Sequence, residues 1–200
     1  EPMVTNATKP TTSAFGDKRE MLLRAAARCF NEKGDSGTSL KDVSQQLDHT
    51  DAANYYYIDG KQQLVYECYE LAVAFGKAAL DHAIEAGGCG FEIANGYLER
   101  HVAAHCGAAG PIAIMSEIPS LRPTDREHIL QLAREHSSRF EKVLEKGIDD
   151  GSIRDCDVRM TGNAIMGAIN WIPKWFHGDM QTAARVEQTF SSYLMRGLAP

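Results

Sequence analysis

The chain has 200 residues, 44% of them hydrophobic and 24% charged, which is ordinary for a globular protein and long enough to bury a sizeable core. Its formal net charge is -6, and the acidic excess is shared, since residues 1–64 hold eight Lys/Arg against nine Asp/Glu and residues 65–200 hold thirteen against eighteen. Neither part has the basic excess of a non-specific nucleic-acid binder, and no apolar run approaches the length of a membrane span.

The opening EPMVTNATKPTTSAFG, residues 1–16, lacks the apolar segment of a secretory signal and reads as a disordered lead-in. Residues 17–64 then read as three helices. After a first helix, Thr38 and Ser39 offer hydroxyls to the free amides of a second, whose apolar positions Leu40, Val43 and Leu47 share one face. Asp48 stands where that helix must stop, and Asp tolerates a left-handed backbone better than most residues. Thr50 is placed to cap a third helix over Asp51–Tyr57, and Asp59 with Gln62 forms a D-x-x-Q pair that opens the next. Two short helices joined by a tight turn are the layout of a helix-turn-helix DNA reader.

The chemistry of such a reader fits the residues present. Ala52 and Ala53 are short enough to bring the backbone close to base edges, with methyl groups able to touch thymine. Asp51 either accepts from a cytosine amine or favours the positive end of the helix dipole. Tyr55 and Tyr56 are amphipathic, and at least one of them is expected to pack its ring inside while a hydroxyl reaches a phosphate. Lys61 is placed to neutralise a phosphate together with the amides of the helix it opens. Lys18, Arg19, Arg24, Arg28, Lys33 and Lys41 give partial relief from the near-neutral charge.

These residues resemble the DNA-binding segment of TetR-type transcriptional regulators. The resemblance rests on Thr38, Ser39, Asp42, Val43, Thr50, Tyr55, Tyr57 and Lys61 in unbroken register, with Ala26, Ala27, Phe30 and Gly34 upstream. It implies backbone contacts for the residues at Thr38, Tyr56 and Lys61. The chain departs from the pattern at Asp48, where the family has a turn glycine, and at His49, Asn54 and Ile58, where it has apolar or aromatic residues.

Residues 65–200 continue as helices. A long one runs from Lys61 to Ala86, broken by Gly87-Gly88-Cys89-Gly90, and another covers Phe91–Cys106 before the loop 107–111. A short helix is expected over Ile112–Ile118. Thr124 and Glu127 form a capping box for a helix to about Asp149, closed by Asp150-Gly151. Asp157 caps a helix whose small and apolar stripe includes Thr161, Ala164, Ile165, Ala168, Ile169, Ile172, Trp175 and Phe176, and a last helix spans Met180–Arg196. The expected class is all-α with about nine helices, three in a DNA-binding head over 17–64 and six in a body over 65–200.

The resemblance extends to the body through DDGSIR, GAINWIPKWF and the closing GLAP, which look like the C-terminal part of acyl-compound-sensing members. It implies a homodimer joined through the last long helices, here by Thr161, Ala164, Ile165, Ala168, Ile172, Phe190 and Leu194. It also implies a pocket for a small hydrophobic effector, acyl-CoA-like or aromatic, with Tyr69, Phe75, Tyr97, His101, Met115, Phe140, Asn170 and Trp171 as its expected lining. Two heads would read a palindromic double-stranded operator, and effector binding would release it. A helical ligand-binding or interaction module with weak or lost DNA binding is the alternative, motivated by His49, Asn54 and the acidic balance.

Other chemistries find little support. His101 and His105 stand at i, i+4 with Cys106 after them, but Val102 occupies the place of a zinc hydrolase's glutamate and no downstream ligand has motif spacing, so no metal is expected. No nucleophile elbow, phosphate loop or dinucleotide fingerprint is present, so neither an enzyme nor a cofactor is expected. Cys29, Cys68, Cys89, Cys106 and Cys156 are scattered singly, as reduced thiols in a cytoplasm would be, with a redox role for Cys89 or Cys106 as the less common reading.

Overall fold

The computed structural model describes residues 12–47, 59–106, 118, 120–176 and 179–200. They form α1 (Thr12–Gly37), α2 (Leu40–Gln45), α3 (Gly60–Ala86), α4 (Gly90–Cys106), α5 (Pro123–Asp149), α6 (Val158–Asn170), α7 (Ile172–Trp175) and α8 (Met180–Arg196). Seven of these are helices of six residues or more and α7 is a single turn, against about nine expected. Among the described residues there is no strand, and the class is all-α. The third helix of the head, 51–57, and residues 112–117 of the expected short helix lie outside the described residues.

Several local expectations hold at atomic detail. Ser39 is the N-cap of α2, accepting from the Asp42 amide at 3.2 Å while the Ser39 amide donates to the Asp42 carboxylate at 2.9 Å, a reciprocal capping box. Asp157 accepts from the Met160 amide at 3.0 Å, as expected at the start of α6; α8 has a cap the sequence reading did not name, Asp179 accepting from the Thr182 amide at 2.9 Å.

Other expectations are corrected. α1 begins at Thr12, inside the stretch read as a lead-in. Asp59 is the N-cap of α3 but makes no side-chain cap bond, so the Asp59–Gln62 pair does not form. α5 opens at Pro123, whose fixed φ suits the first helical position, with Arg122 as N-cap in place of the Thr124–Glu127 box. The stripe over 161–176 is not one helix: Asn170 ends α6, Trp171 is its C-cap, and Pro173 restarts the chain as α7 because it can give no amide to a continuing helix.

Two apolar clusters share the long helices. Leu22, Ala26, Cys29 and Phe30 of α1 pack with Val43 of α2 and with Leu64, Val65, Cys68 and Tyr69 of α3. The second cluster centres on α4, where Ala94, Tyr97, Leu98 and Val102 are fully buried among residues of α3, α5, α6, α7 and α8. α3 enters the first cluster with Leu64–Tyr69 and the second with Ala79–Ala83. α5 does likewise, with Ile129 in the first and Phe140, Val143 and Leu144 in the second. Continuous helices therefore join the two.

The GGCG and DDGSIR segments act together. The Gly90 amide, at the start of α4, donates to the Asp150 carboxylate at 2.8 Å and the Phe91 amide to the Ser152 hydroxyl at 3.1 Å, so the end of α5 caps the start of α4. The helices meet so closely that a Cβ on Gly90 would lie 2.2 Å from the Gly147 backbone. Arg154 then ties the chain end, its Nε donating to the Gly197 carbonyl at 2.7 Å and its amide to the Leu198 carbonyl at 3.0 Å.

Candidate functional site

In the head, the sequence-predicted contact residues divide. Thr38 is buried, and its hydroxyl lies 2.8 Å from the Gly34 carbonyl and 3.0 Å from that of Cys29, so it seals the kink in α1 at Gly34 (φ 72°) instead of capping α2. Ser39 is exposed but engaged in its capping box. Lys61 is half-buried, with Nζ donating to the Asp35 carbonyl at 2.8 Å and 3.3 Å from its carboxylate. Thr50, Asp51, Ala52, Ala53, Tyr55 and Tyr56 lie outside the described residues.

Much of the head's positive charge is paired within the chain. Arg19 bonds Glu67 of α3, Arg24 meets Glu20 at 2.9 Å, and Lys33 meets Asp42 at 2.7 Å. Lys33 and Ser39 together hold the Asp42 carboxyl well below the usual carboxylate range. The pairs with Glu67 and Asp42 brace α1 against α3 and α2, and they engage charges that would otherwise be open to phosphates.

In the body, a cavity of about 80 Å³ opens between α3, α4, α5 and α6. Ala72, Val73 and Gly76 of α3 line it with His101 and His105 of α4, Ala133, His136 and Ser137 of α5, and Met166 and Asn170 of α6. Behind it, the buried Tyr97 hydroxyl lies 2.7 Å from His101 Nδ1, 2.8 Å from His136 Nε2 and 3.2 Å from Met166 Sδ. The Phe140 ring packs on Tyr97 with centroids 4.8 Å apart, and the His101 and His105 rings stack at 5.2 Å. Gly76 leaves room for these rings, since a Cβ there would sit 3.3 Å from both His101 and His136.

Burial sets the charge of the site. It pushes His101 well below the usual imidazole range, helped by His105 and His136, and brings His105 and His136 to about 4. It drives the Tyr97 phenol upward. The three rings are therefore neutral near pH 7, each with one N–H and one lone pair. Both nitrogens of His105 and Nδ1 of His136 have no hydrogen-bond partner among the described residues. Leaving a buried polar group unpaired costs about 1–3 kcal/mol, so the cluster is not explained by stability.

Of the expected lining, the structure brings His101 and Asn170 to the cavity, with Tyr97 and Phe140 directly behind. Tyr69 is buried in the other cluster, Phe75 lies 4.7 Å beneath the Arg24 guanidinium, and Trp171 turns outward, 55% exposed. Met115 lies outside the described residues. Sequence reasoning missed His105 and His136 as lining residues. The spacing Tyr97, His101, His105 was the available signal, a polar stripe at every fourth residue of a buried helix; nothing local marks His136. Among the described residues no group of three His, Cys, Asp or Glu can hold a metal ion.

The expected interface residues also divide. Ile165 and Ile172 are buried in the chain's own core, because the inward face of α6 and α7 packs on α4 and α5. The outward face of α6 instead carries Met160 (62% exposed), Ala164, Gly167 and Trp171 at helical spacing, with Thr161 and Ala168 at its margin. On α8, Tyr193 is 77% exposed, while Phe190 and Leu194 are half-buried against the core and Phe190 stacks on Trp175 at 5.7 Å.

All five cysteines are free thiols; Cys29, Cys68 and Cys106 are buried, and burial pushes each of these thiols upward, away from thiolate. No described helix is long and apolar enough to cross a membrane.

Comparison with known proteins gives this geometry a setting. Residues 22–68 match the family model for bacterial regulatory proteins of the tetR family, and residues 95–198 match that for the tetracyclin repressor-like C-terminal domain. The HTH-type transcriptional repressor KstR2 of Rhodococcus jostii (strain RHA1) is 26% identical over 94% of each chain. The TetR family regulator PfmR of Thermus thermophilus is 27% identical, with a TM-score of 0.70 over 96% of this chain and all of that one. Two more distant structures share the fold. The ketosteroid regulator KstR2 of Mycobacterium tuberculosis has a TM-score of 0.75 at 20% identity, covering 98% of this chain and 100% of that chain. AibR, in a complex with isovaleryl coenzyme A and operator DNA, has one of 0.68 at 18% identity over 92% and 98%. With one family model covering the body and another the head, this chain belongs to the TetR family of transcriptional regulators, non-enzymatic proteins with a helix-turn-helix DNA-binding domain.

Proposed function

We propose that the chain acts in the cytoplasm as a homodimeric repressor that binds a palindromic operator through residues 17–64 and is released when a small effector enters the body, residues 65–200. The observation that carries this reading is the outward face of α6. A helix that presents Met160, Ala164, Gly167 and Trp171 to water, with Tyr193 of α8 also exposed, has large apolar and small residues where a single chain gains nothing from them. A second copy across a two-fold axis would bury that face, with Gly167 and Ala164 letting the helices approach.

A short physical path supports coupling. Asn170 lines the cavity and ends α6, and four residues later Lys174 of α7 donates to the Asn31 carbonyl of α1 at 2.9 Å. A group that reseats Asn170 would move α7 and with it the C-terminal half of α1, on which α2 is braced. On the DNA side, Lys61 holds Asp35 with some of its three donors and can offer the remainder to a phosphate. Isovaleryl coenzyme A, the ligand in the AibR complex, supports a small hydrophobic effector of acyl type, with an aromatic molecule as the alternative.

Sedimentation of Gly167→Arg and Trp171→Glu tests the reading. The parent is expected as a dimer and the variants as folded monomers that lose operator binding with their partner. A parent that stays monomeric at high concentration would contradict it.

A further inference from the structure

The body cavity is lined by carbon and by hydrogen-bonding groups that both give and receive. No Asp, Glu, Lys or Arg is among its described lining residues. The ion pair beside it, Arg139 with Asp81, closes on itself next to His136. A carboxylate or ammonium entering here would leave water without meeting an opposite charge, which is costly. Supplying that charge by protonating an imidazole is opposed by the burial of all three rings.

What the cavity offers is a count of donors and acceptors. A neutral His105 shows one N–H and one lone pair in either tautomer, and neither has a partner among the described residues. Tyr97 has a single hydroxyl proton and two imidazole neighbours, with the Met166 sulfur a weak third acceptor. If Tyr97 donates to His136 Nε2, the His136 proton sits on Nδ1 and is free to donate. If His136 donates from Nε2, Nδ1 is a lone pair, and Tyr97 donates to His101 instead. The Tyr97 pair thus adapts its outward polarity to what it meets. A group that receives from an N–H of one of these rings and gives to a lone pair of the other through a single oxygen is a hydroxyl.

We propose that this cavity takes an uncharged molecule that presents a hydroxyl, an alcohol or a phenol, to His105 and His136, with its carbon against Ala72, Val73 and Ala133. This rests on reading the body as the effector-binding part and names the chemistry of that effector. The volume, about 80 Å³, suits the hydroxyl-bearing end of such a molecule together with a few carbons.

The test is titration of the full chain with isobutanol, isobutyrate and isobutylammonium, followed through the ring-nitrogen shifts of the histidines. Isobutanol is expected to move the His105 and His136 signals saturably while the two ions move neither. His105→Phe, which keeps a stacked ring, should weaken the alcohol about tenfold. Isobutyrate binding more tightly than isobutanol with uptake of a proton, or isobutanol binding His105→Phe as well as the parent, would overturn the proposal. Operator affinity measured on the same samples separates the two claims. Alcohol bound at His105 with no loss of operator affinity upholds the site's chemistry and removes the effector role. Operator release by isobutanol that survives His105→Phe keeps the regulatory role and removes this site.

Discussion

The two clusters of this chain treat polar groups in opposite ways. In the head, hydroxyls and charges close on each other: Thr38 on the Cys29 and Gly34 carbonyls, Ser39 on Asp42, Lys33 on Asp42, Lys61 on Asp35, Arg19 on Glu67. In the body, Tyr97, His101 and His105 are buried with the half-buried His136 beside them, and three ring nitrogens of residues that line the cavity have no hydrogen-bond partner among the described residues. A satisfied network rigidifies, whereas one held incomplete is a place for something else to bind. The difference matches a family in which one part must hold its shape and the other must respond.

The largest effect that breaks this contrast is expected at the contact that fixes α4. Gly90→Ala places a Cβ against the Gly147 backbone, which cannot move aside, and should destabilise the chain by about 3 kcal/mol or more, read from the denaturant midpoint. Tyr97→Phe comes next. It removes the hydroxyl shared by His101 and His136 and leaves further ring nitrogens unpaired, with an expected loss of about 1–3 kcal/mol in the same measurement. In the head, Ser39→Ala opens the capping box of α2 at a cost of about 1 kcal/mol, and thermal unfolding should show it without any change in the histidine signals.

The smallest effect at neutral pH should come from His105→Phe, and its direction sharpens the contrast. Both His105 nitrogens are unpaired, so an apolar ring should be neutral or stabilising near pH 7. The acid limb of stability should change more. The unfolded chain binds a proton at His105 as the pH falls through about 6.5, while the folded chain resists until about 4. The parent is thus expected at full stability above about pH 7 and to lose it between there and about pH 4, and His105→Phe should flatten that slope. An unchanged slope would mean that His105 is not held neutral.

Much of the helical layout was legible because its causes are local. Ser39 and Asp157 announced helix starts through capping chemistry that needs only neighbours in sequence. The break at Trp171 was signalled by Pro173 but outweighed by the apolar stripe that runs through it. Tertiary causes were not legible. Asp150 and Ser152 cap a helix that starts sixty residues earlier, Thr38 turns its hydroxyl inward, and His136 joins Tyr97 across α4 and α5, none of which leaves a mark in its own stretch of sequence. For the interface, helical periodicity identified the helix but not which side α4 and α5 would claim, and so Ile165 and Ile172 were read outward.

The central claim is that this chain is a dimeric operator reader, and selection against random duplex DNA at moderate salt, read by sequencing the bound fraction, tests it most directly. The account predicts one enriched palindrome, with half-sites about one helical turn apart, lost in Trp171→Glu and weakened in Lys61→Ala. No enrichment from a folded, dimeric protein would contradict it and leave the cavity, not the operator, as the seat of function.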